Sequence, residues 1–257
     1  MLARIEPGMS HVSRLYIEHD LRLEQSFVLP EGQSKYLLRV MRLSDGATVR
    51  AFNGRDGEWR CVLRVQGKSA VLIPNEQTRE QEQGVDLTLL FAPIKKARTD
   101  FIVEKATELG VRTIQPVITE YTQTQRVRLD RMLSLVTEAA EQTERLDLPE
   151  LIDAGTLPKV LADWDPSCPL IYCDEGSEAA PLSQYREQLS GGRAGILIGP
   201  EGGFSPRERK MLRELAFVCP ITLGPRILRA ETAVVAALTL WQSLVGDWQK
   251  PPYLPQT

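Results

Sequence analysis

The hydrophobic pattern of this chain changes once, near Gly84, and that switch limits the folds open to it. From Arg14 to Ile73 the segments RLYIE, FVLP, TVRAFN, EWRCVLRV and SAVLIP carry β-branched and aromatic residues that suit a pleated, half-buried surface. Turn signals separate them: Pro30-Glu31-Gly32, Ser44-Asp45-Gly46, Asn53-Gly54 and Gln66-Gly67. With one short helix over Ser34–Leu43, residues 13–74 read as a small β-barrel. Residues 75–84 (NEQTREQEQG) are polar and aperiodic and read as a linker. Strands and helices then alternate through residues 85–247. The strands are VDLTLLFAP, VRTIQPVIT, PLIYCDE, AGILIGP and VCPITLG. One helix is capped by Thr99 or Asp100 and ended by Gly110, and another opens at Asp130 and runs to about Arg145. A third opens at Ser205-Pro206 with Glu208 completing a capping box, and the last spans 230–244. This alternation implies an α/β domain on a parallel sheet covered on both faces. The tail QKPPYLPQT reads as loose.

Residue usage excludes several chemistries. Both histidines, His11 and His19, precede the α/β region, so a site built there works without imidazole. Ser-His-Asp triads, Cys-His pairs and histidine-rich zinc sites are ruled out for it, and no metal is expected. Cys61, Cys168, Cys173 and Cys219 form no C-x-x-C pair and read as reduced thiols. No apolar run approaches the roughly 20 residues of a membrane span. The start MLARIEPGMSHVSRLY lacks a signal-peptide pattern, so the expected compartment is the cytoplasm, with no membrane partner. The net charge is −3, yet residues 35–68 hold eight Lys and Arg against three Asp and Glu. That excess is either a phosphate-attracting face or an ordinary solvated surface.

Two segments end a strand in a glycine-proline turn just before a helix: Ile196-Leu-Ile-Gly-Pro-Glu-Gly-Gly-Phe-Ser205 and Leu223-Gly-Pro-Arg-Ile-Leu-Arg-Ala-Glu-Thr-Ala233. In open α/β sheets, ligands bind beyond the carboxyl ends of the strands, and glycines there admit close backbone approach. The first segment is no phosphate loop, because it lacks the Gly-Lys-Ser/Thr ending. Taken residue by residue, the pair points to a backbone-lined ligand site, or to two plain strand ends.

The pair LIGPEGGFS and LGPRILRAETA closely resembles the motifs of the bacterial 16S ribosomal RNA uridine-N3 methyltransferase family, in the SPOUT class of trefoil-knotted enzymes. Weaker matches extend over nearly the whole chain. They include Tyr36-Leu-Leu-Arg-Val-Met-Arg42, the helix Phe101–Val111 ending in Glu-Leu-Gly-Val, and Glu141-Gln142, Arg145, Pro149 and Glu150. The chain departs from the family pattern at Arg98, at Glu120-Tyr121 and at Glu144, where the family often has Lys, Glu-Arg and a small residue.

The resemblance implies a PUA-like RNA-binding barrel followed by a knotted α/β domain that binds S-adenosyl-L-methionine. Carried over, Ile198, Gly199, Pro200, Gly202 and Gly203 line one wall of the cofactor cradle. Leu223, Gly224, Ile227, Leu228 and Ala233 line the others. The substrate implied is 16S ribosomal RNA within the small subunit, and the assembly implied is a homodimer through the knot domain. The alanine- and valine-rich helix 230–244 either forms that interface or packs within the chain. Uridine N3 carries a proton, so a base and a cation are needed. Without histidine the candidates are Arg229 as electrostatic stabiliser, Glu231 as base or orienter, and Glu201 as a second carboxylate. The plainer readings are a helix N-terminal carboxylate for Glu231 and a turn anchor for Glu201. Candidate RNA contacts are Arg14, Arg39 and Arg42 in the barrel, extended by Lys95, Lys96 and Arg98. The rival readings are ribose 2′-O methylation of transfer RNA, an RNA-binding factor without turnover, and a nucleotide-phosphate binder.

Overall fold

The computed structural model describes residues 12–124, 127–174 and 179–251. His11, Glu175 of the expected strand PLIYCDE, and residues 252–257 of the expected loose tail lie outside them. Two compact units divide the chain, residues 1–82 and 83–257.

In the first unit, β1 (Ser13–Tyr16), β2 (Phe27–Val28), β3 (Thr48–Phe52), β4 (Glu58–Gln66) and β5 (Ser69–Arg79) form one sheet in the order β1-β3-β4-β5-β2. β1 runs parallel to β3, and the other pairs are antiparallel. Alternate residues of the strands point inward, so Leu15, Val49, Ala51, Cys61, Leu63, Ala70 and Leu72 share one core. The helix begins earlier than Ser34: α1 covers Glu31–Lys35 and runs into a π turn, Tyr36–Val40. Pro30 supplies the break before α1. Ser34 is buried inside it, donating to the Leu29 carbonyl and accepting from Ala70 N–H.

The expected linker is a correction. Its first half, residues 75–79, continues β5 beside the start of β4. Asn75, Glu76 and Gln77 are exposed on this strand, and Thr78 and Arg79 are half-buried. Thr78 Oγ1 donates to the Glu58 backbone carbonyl, and Glu76 pairs with Arg60.

Arg14 is a second correction. Its side chain is almost wholly buried, with Nε 2.6 Å from Glu58 Oε2 and Cζ 3.9 Å from the centre of the Phe52 ring. A guanidinium committed to a buried carboxylate does not reach phosphate. Both faces of β1 are covered, so Arg14 is buried along with Ser13 and Leu15. The basic excess of residues 35–68 is also partly neutralised. Arg50, Arg55, Arg60 and Arg64 pair with Glu58, Asp20, Glu76 and Asp45. Arg39 and Arg42 remain exposed and form no ion pair among the described residues, beside exposed Val40 and Met41.

The second unit is α/β. Its strands are β6 (Asp86–Phe91), β7 (Thr113–Ile118), β8 (Glu150–Leu151), β9 (Gly155–Thr156), β10 (Leu170–Cys173), β11 (Arg193–Ile198) and β12 (Val218–Ile221). Their order is β12-β10-β11-β6-β7-β8, with β9 also on β7, and every pair is parallel. The helices are α2 (Lys96–Glu108), α3 (Leu129–Gln142), α4 (Leu157–Ala162), α5 (Pro206–Glu214) and α6 (Ala230–Leu244). Strand residues that alternate along β6 and β11 feed opposite faces. Leu89 and Ile196 join the core with Ile102, Val234 and Trp241, while Leu90 and Leu197 join that with Leu157 and Leu212. Two-sided burial accounts for the continuous apolar runs read from the sequence.

Boundaries shift where local chemistry outweighs propensity. α2 starts at Lys96, not beyond Thr99, because the Thr99 hydroxyl folds back to donate to the Ile94 carbonyl and accept from Ile94 N–H. The Ser205–Glu208 capping box of α5 is formed in full. β8, β9, α4 and a 3₁₀ turn at Leu182–Tyr185 are too short to carry periodicity, and sequence reading did not foresee them. The α6 face of Val234, Ala237, Leu238 and Trp241 is buried within the chain. Among the described residues, no helix is long and apolar enough to cross a membrane.

Replacing Arg14 by Met leaves the Glu58 carboxylate buried without its closest cation. Urea unfolding of this variant is expected to show a loss of about 3 kcal/mol. Unchanged stability would show that the pair counts for no more than an exposed one.

Candidate active site

At the carboxyl ends of β10, β11 and β12 lies a cleft of about 430 Å³. Both glycine-proline turns form its walls. Ile198, Gly199, Pro200 and Gly203 line one side; Leu223, Gly224, Ile227, Leu228 and Ala233 line the other. Gly202 does not line it and packs instead against Tyr121.

The first wall is held from below. Glu208 is buried, and its carboxylate accepts from Ser205 N–H and from Glu120 N–H, both at 2.9 Å. Arg209 Nε donates to the Phe204 carbonyl, and Gly203 N–H closes a turn onto Pro200. Phe204 is thereby pressed against Gly199, where a Cβ would sit 2.7 Å from the ring, and edge-on against Tyr172. Gly199 is needed for that approach. The second wall is an exposed turn. Gly224 has φ +99°, and its N–H donates to Thr222 Oγ1. Ile227 is 86% exposed, unusual for an isoleucine.

The cleft lining includes residues that sequence reading missed: Tyr172, Cys173, Asp174, Arg209, Thr222 and Arg226. The first three end the strand PLIYCDE, so the carboxyl-end rule could have found them. Arg209 gave no signal beyond helix membership. Asp174 is buried and pairs with Arg213, 2.6 Å away. Burial, then Asp174, raises the Tyr172 phenol above its usual range, and burial pushes the Cys173 thiol up to about 12. Both stay protonated and neutral at physiological pH.

The three residues proposed from sequence as reactive are distributed around this cleft. Arg229 and Glu201 line it; Glu231 sits in the first turn of α6 and does not. Arg229 is exposed, at the N-cap of α6. Glu231 is mostly buried, and its Oε2 has no hydrogen-bond partner among the described residues. Arg98 Nη1 donates to Glu201 Oε1 at 3.3 Å, and Arg98 Nε lies 3.5 Å from Glu231 Oε1. Lys95 and Lys96 are exposed at the start of α2. Arg145 is structural, donating through Nη1 to the Thr107 and Val111 carbonyls where α2 ends. Glu144 has φ +63°, a backbone conformation that favours glycine.

A second, larger cleft of about 730 Å³ opens at the amino ends of β6, β7, β8 and β11. Within it, Arg193 pairs with Asp86 and Asp165. Hydrogen bonds from Ser167 and then Arg193 hold Asp165 down at about 2. The glycine turns are absent from it, and the first cleft is the better ligand site. No group of His, Cys, Asp and Glu among the described residues could hold a metal.

Known proteins share this arrangement. Residues 81–242 match the family model described as an RNA methyltransferase domain, and residues 29–74 match an RNA methyltransferase PUA domain. The chain is 32% identical to the ribosomal RNA small subunit methyltransferase E of Rickettsia conorii, over 88% of this chain and 93% of that protein. It is 31% identical to the protein of that name from Synechocystis sp., over 90% and 78%. A solved ribosomal RNA small subunit methyltransferase E from Neisseria gonorrhoeae, bound to S-adenosyl methionine, superposes with a TM-score of 0.83. It is 30% identical, and 93% of this chain and all of that one are covered.

If Gly199 is held by the Phe204 ring, Gly199→Ala should cost about 1–3 kcal/mol in chemical unfolding. Gly191 has nothing within 4 Å of a built Cβ, and Gly191→Ala should stay within about 0.5 kcal/mol. Equal costs would show that Phe204 yields freely.

Proposed function

This chain belongs to the RNA methyltransferase family, and from that premise we propose that it methylates N3 of a uridine in 16S ribosomal RNA using S-adenosyl-L-methionine. The observation that carries the proposal is the cleft itself, walled by two glycine-proline turns at the carboxyl ends of parallel strands. Its residues suit the cofactor. Ile198, Leu223, Leu228 and Ala233 offer apolar surface for an adenine, and the glycines admit a ligand close to the backbone. Asp174 and Arg209 give the same cleft polar groups that fix orientation.

When bound, S-adenosylmethionine supplies a methyl group made electrophilic by its sulfonium. The protein's task is to orient the acceptor and manage one proton. Neutral uridine holds that proton on N3. Glu231, in the first turn of α6 between the cleft-lining Ala230 and Ala233, is the proposed acceptor for it, and Arg229 at the cleft rim is the cation that favours negative charge on the uracil oxygens. Glu201, paired to Arg98 and more exposed, is assigned a structural part.

Arg39 and Arg42, exposed on the first unit, are the proposed phosphate contacts there; Lys95 and Lys96 serve the second unit. The RNA is read as part of the small ribosomal subunit, in the cytoplasm. A homodimer through the knotted domain is part of the proposal, and the exposed Ile227 is a residue that a second copy would cover.

The test is to incubate the protein with labelled S-adenosylmethionine and small ribosomal subunits lacking the modification, then identify the labelled nucleoside. N3-methyluridine is expected, with Glu231→Gln slower by about 10²-fold. Label in a ribose-methylated nucleoside, or none, would overturn the assignment.

A further inference from the structure

Sequence places Arg98 with Lys95 and Lys96 as a phosphate contact. Arg98 lies in the first turn of α2, with its guanidinium between two carboxylates remote in sequence. Glu201 belongs to the first glycine-proline turn, and Glu231 to the helix into which the second turn leads. Nη1 meets Glu201 Oε1 at 3.3 Å, and Nε meets Glu231 Oε1 at 3.5 Å. One side chain thus joins α2 to both segments that wall the cleft. A guanidinium suits this position because its N–H groups point in separate fixed directions, whereas an ammonium is a point charge.

We infer that Arg98 is a positioning residue that clips the two walls of the cleft together and holds Glu231 by Oε1. The inference rests on the reading of Glu231 as proton acceptor. Individually, exposed ion pairs count for little. The Glu231 side chain is only 16% exposed, however, and Oε2 is buried without a partner. Withdrawing Arg98 leaves that carboxylate with no ion-pair partner among the described residues, so it must turn toward solvent or toward another donor. The clip therefore governs where the carboxylate points more than how stable the chain is. A misplacement of about 1 Å in a catalytic group can cost about 10²-fold in rate.

Arg98→Ala and Arg98→Lys separate this from phosphate binding through three readouts. These are amide hydrogen exchange of the ligand-free protein, RNA affinity as a function of salt, and single-turnover methylation. For Arg98→Ala the clip predicts faster exchange in residues 199–203 and 230–233. RNA affinity and its salt dependence should not change, and single-turnover rates should fall by about 10- to 100-fold. Arg98→Lys should recover part of the rate by keeping one contact. The double variant Arg98→Ala, Glu231→Gln should be no slower than Glu231→Gln alone, because the two residues act as one unit. Unchanged exchange, with weaker RNA binding and a salt slope reduced by about one, would make Arg98 a phosphate contact and overturn the inference. Unchanged behaviour in all three would also overturn it. If the parental chain fails to methylate RNA, the proposed function falls, while exchange and affinity still decide the role of Arg98.

Discussion

The buried carboxylate of Glu208 is the contact on which the cleft depends. Its two oxygens accept from Ser205 N–H, which starts α5, and from Glu120 N–H, in the turn after β7. A helix start and a neighbouring strand end are thereby fixed together. The seven residues from Gly199 to Ser205 have little freedom left, and Phe204 is driven onto Gly199. The same geometry that satisfies these two backbone donors builds one wall of the ligand site. Losing the Glu208 carboxylate would leave both donors without this partner, the Ser205 N–H in a buried position.

Charge is arranged differently at the two ends of the parallel sheet. At the amino ends, Arg193 is taken up by Asp86 and Asp165. At the carboxyl ends, Arg226 and Arg229 are exposed on the rim and Glu231 keeps one oxygen unpartnered. Cations at the rim suit an anionic polymer, while Tyr172 and Cys173 beneath them stay protonated and neutral. A chain with a net charge of −3 can engage RNA in this way, because the local distribution and not the total sets the attraction.

Features governed by local chemistry were legible in the sequence. The capping box at Ser205 and Glu208, the span of α6 and the two glycine-proline turns each depend on a few adjacent residues, and each stands where the sequence puts it. Features governed by tertiary partners were not. Nothing local separates Arg14, sunk against Glu58, from Arg39, exposed on a π turn. Residues 75–79 look like a linker until β4 is beside them. Asp174 and Arg209 enter the cleft only because the sheet brings β10 next to β11 and β12. The knot implied by the family resemblance has no expression in periodicity, since it concerns the path of the chain and not the identity of any residue.

The central claim is that the two glycine-proline turns bind one cofactor between them. Titrating S-adenosylmethionine into isotope-labelled protein and following backbone amide resonances tests it most directly. The account predicts saturable shifts concentrated at residues 198–204 and 222–233, with residues 150–155 and 163–168 of the opposite cleft undisturbed. Shifts centred on that opposite cleft, or none at saturating cofactor, would contradict it.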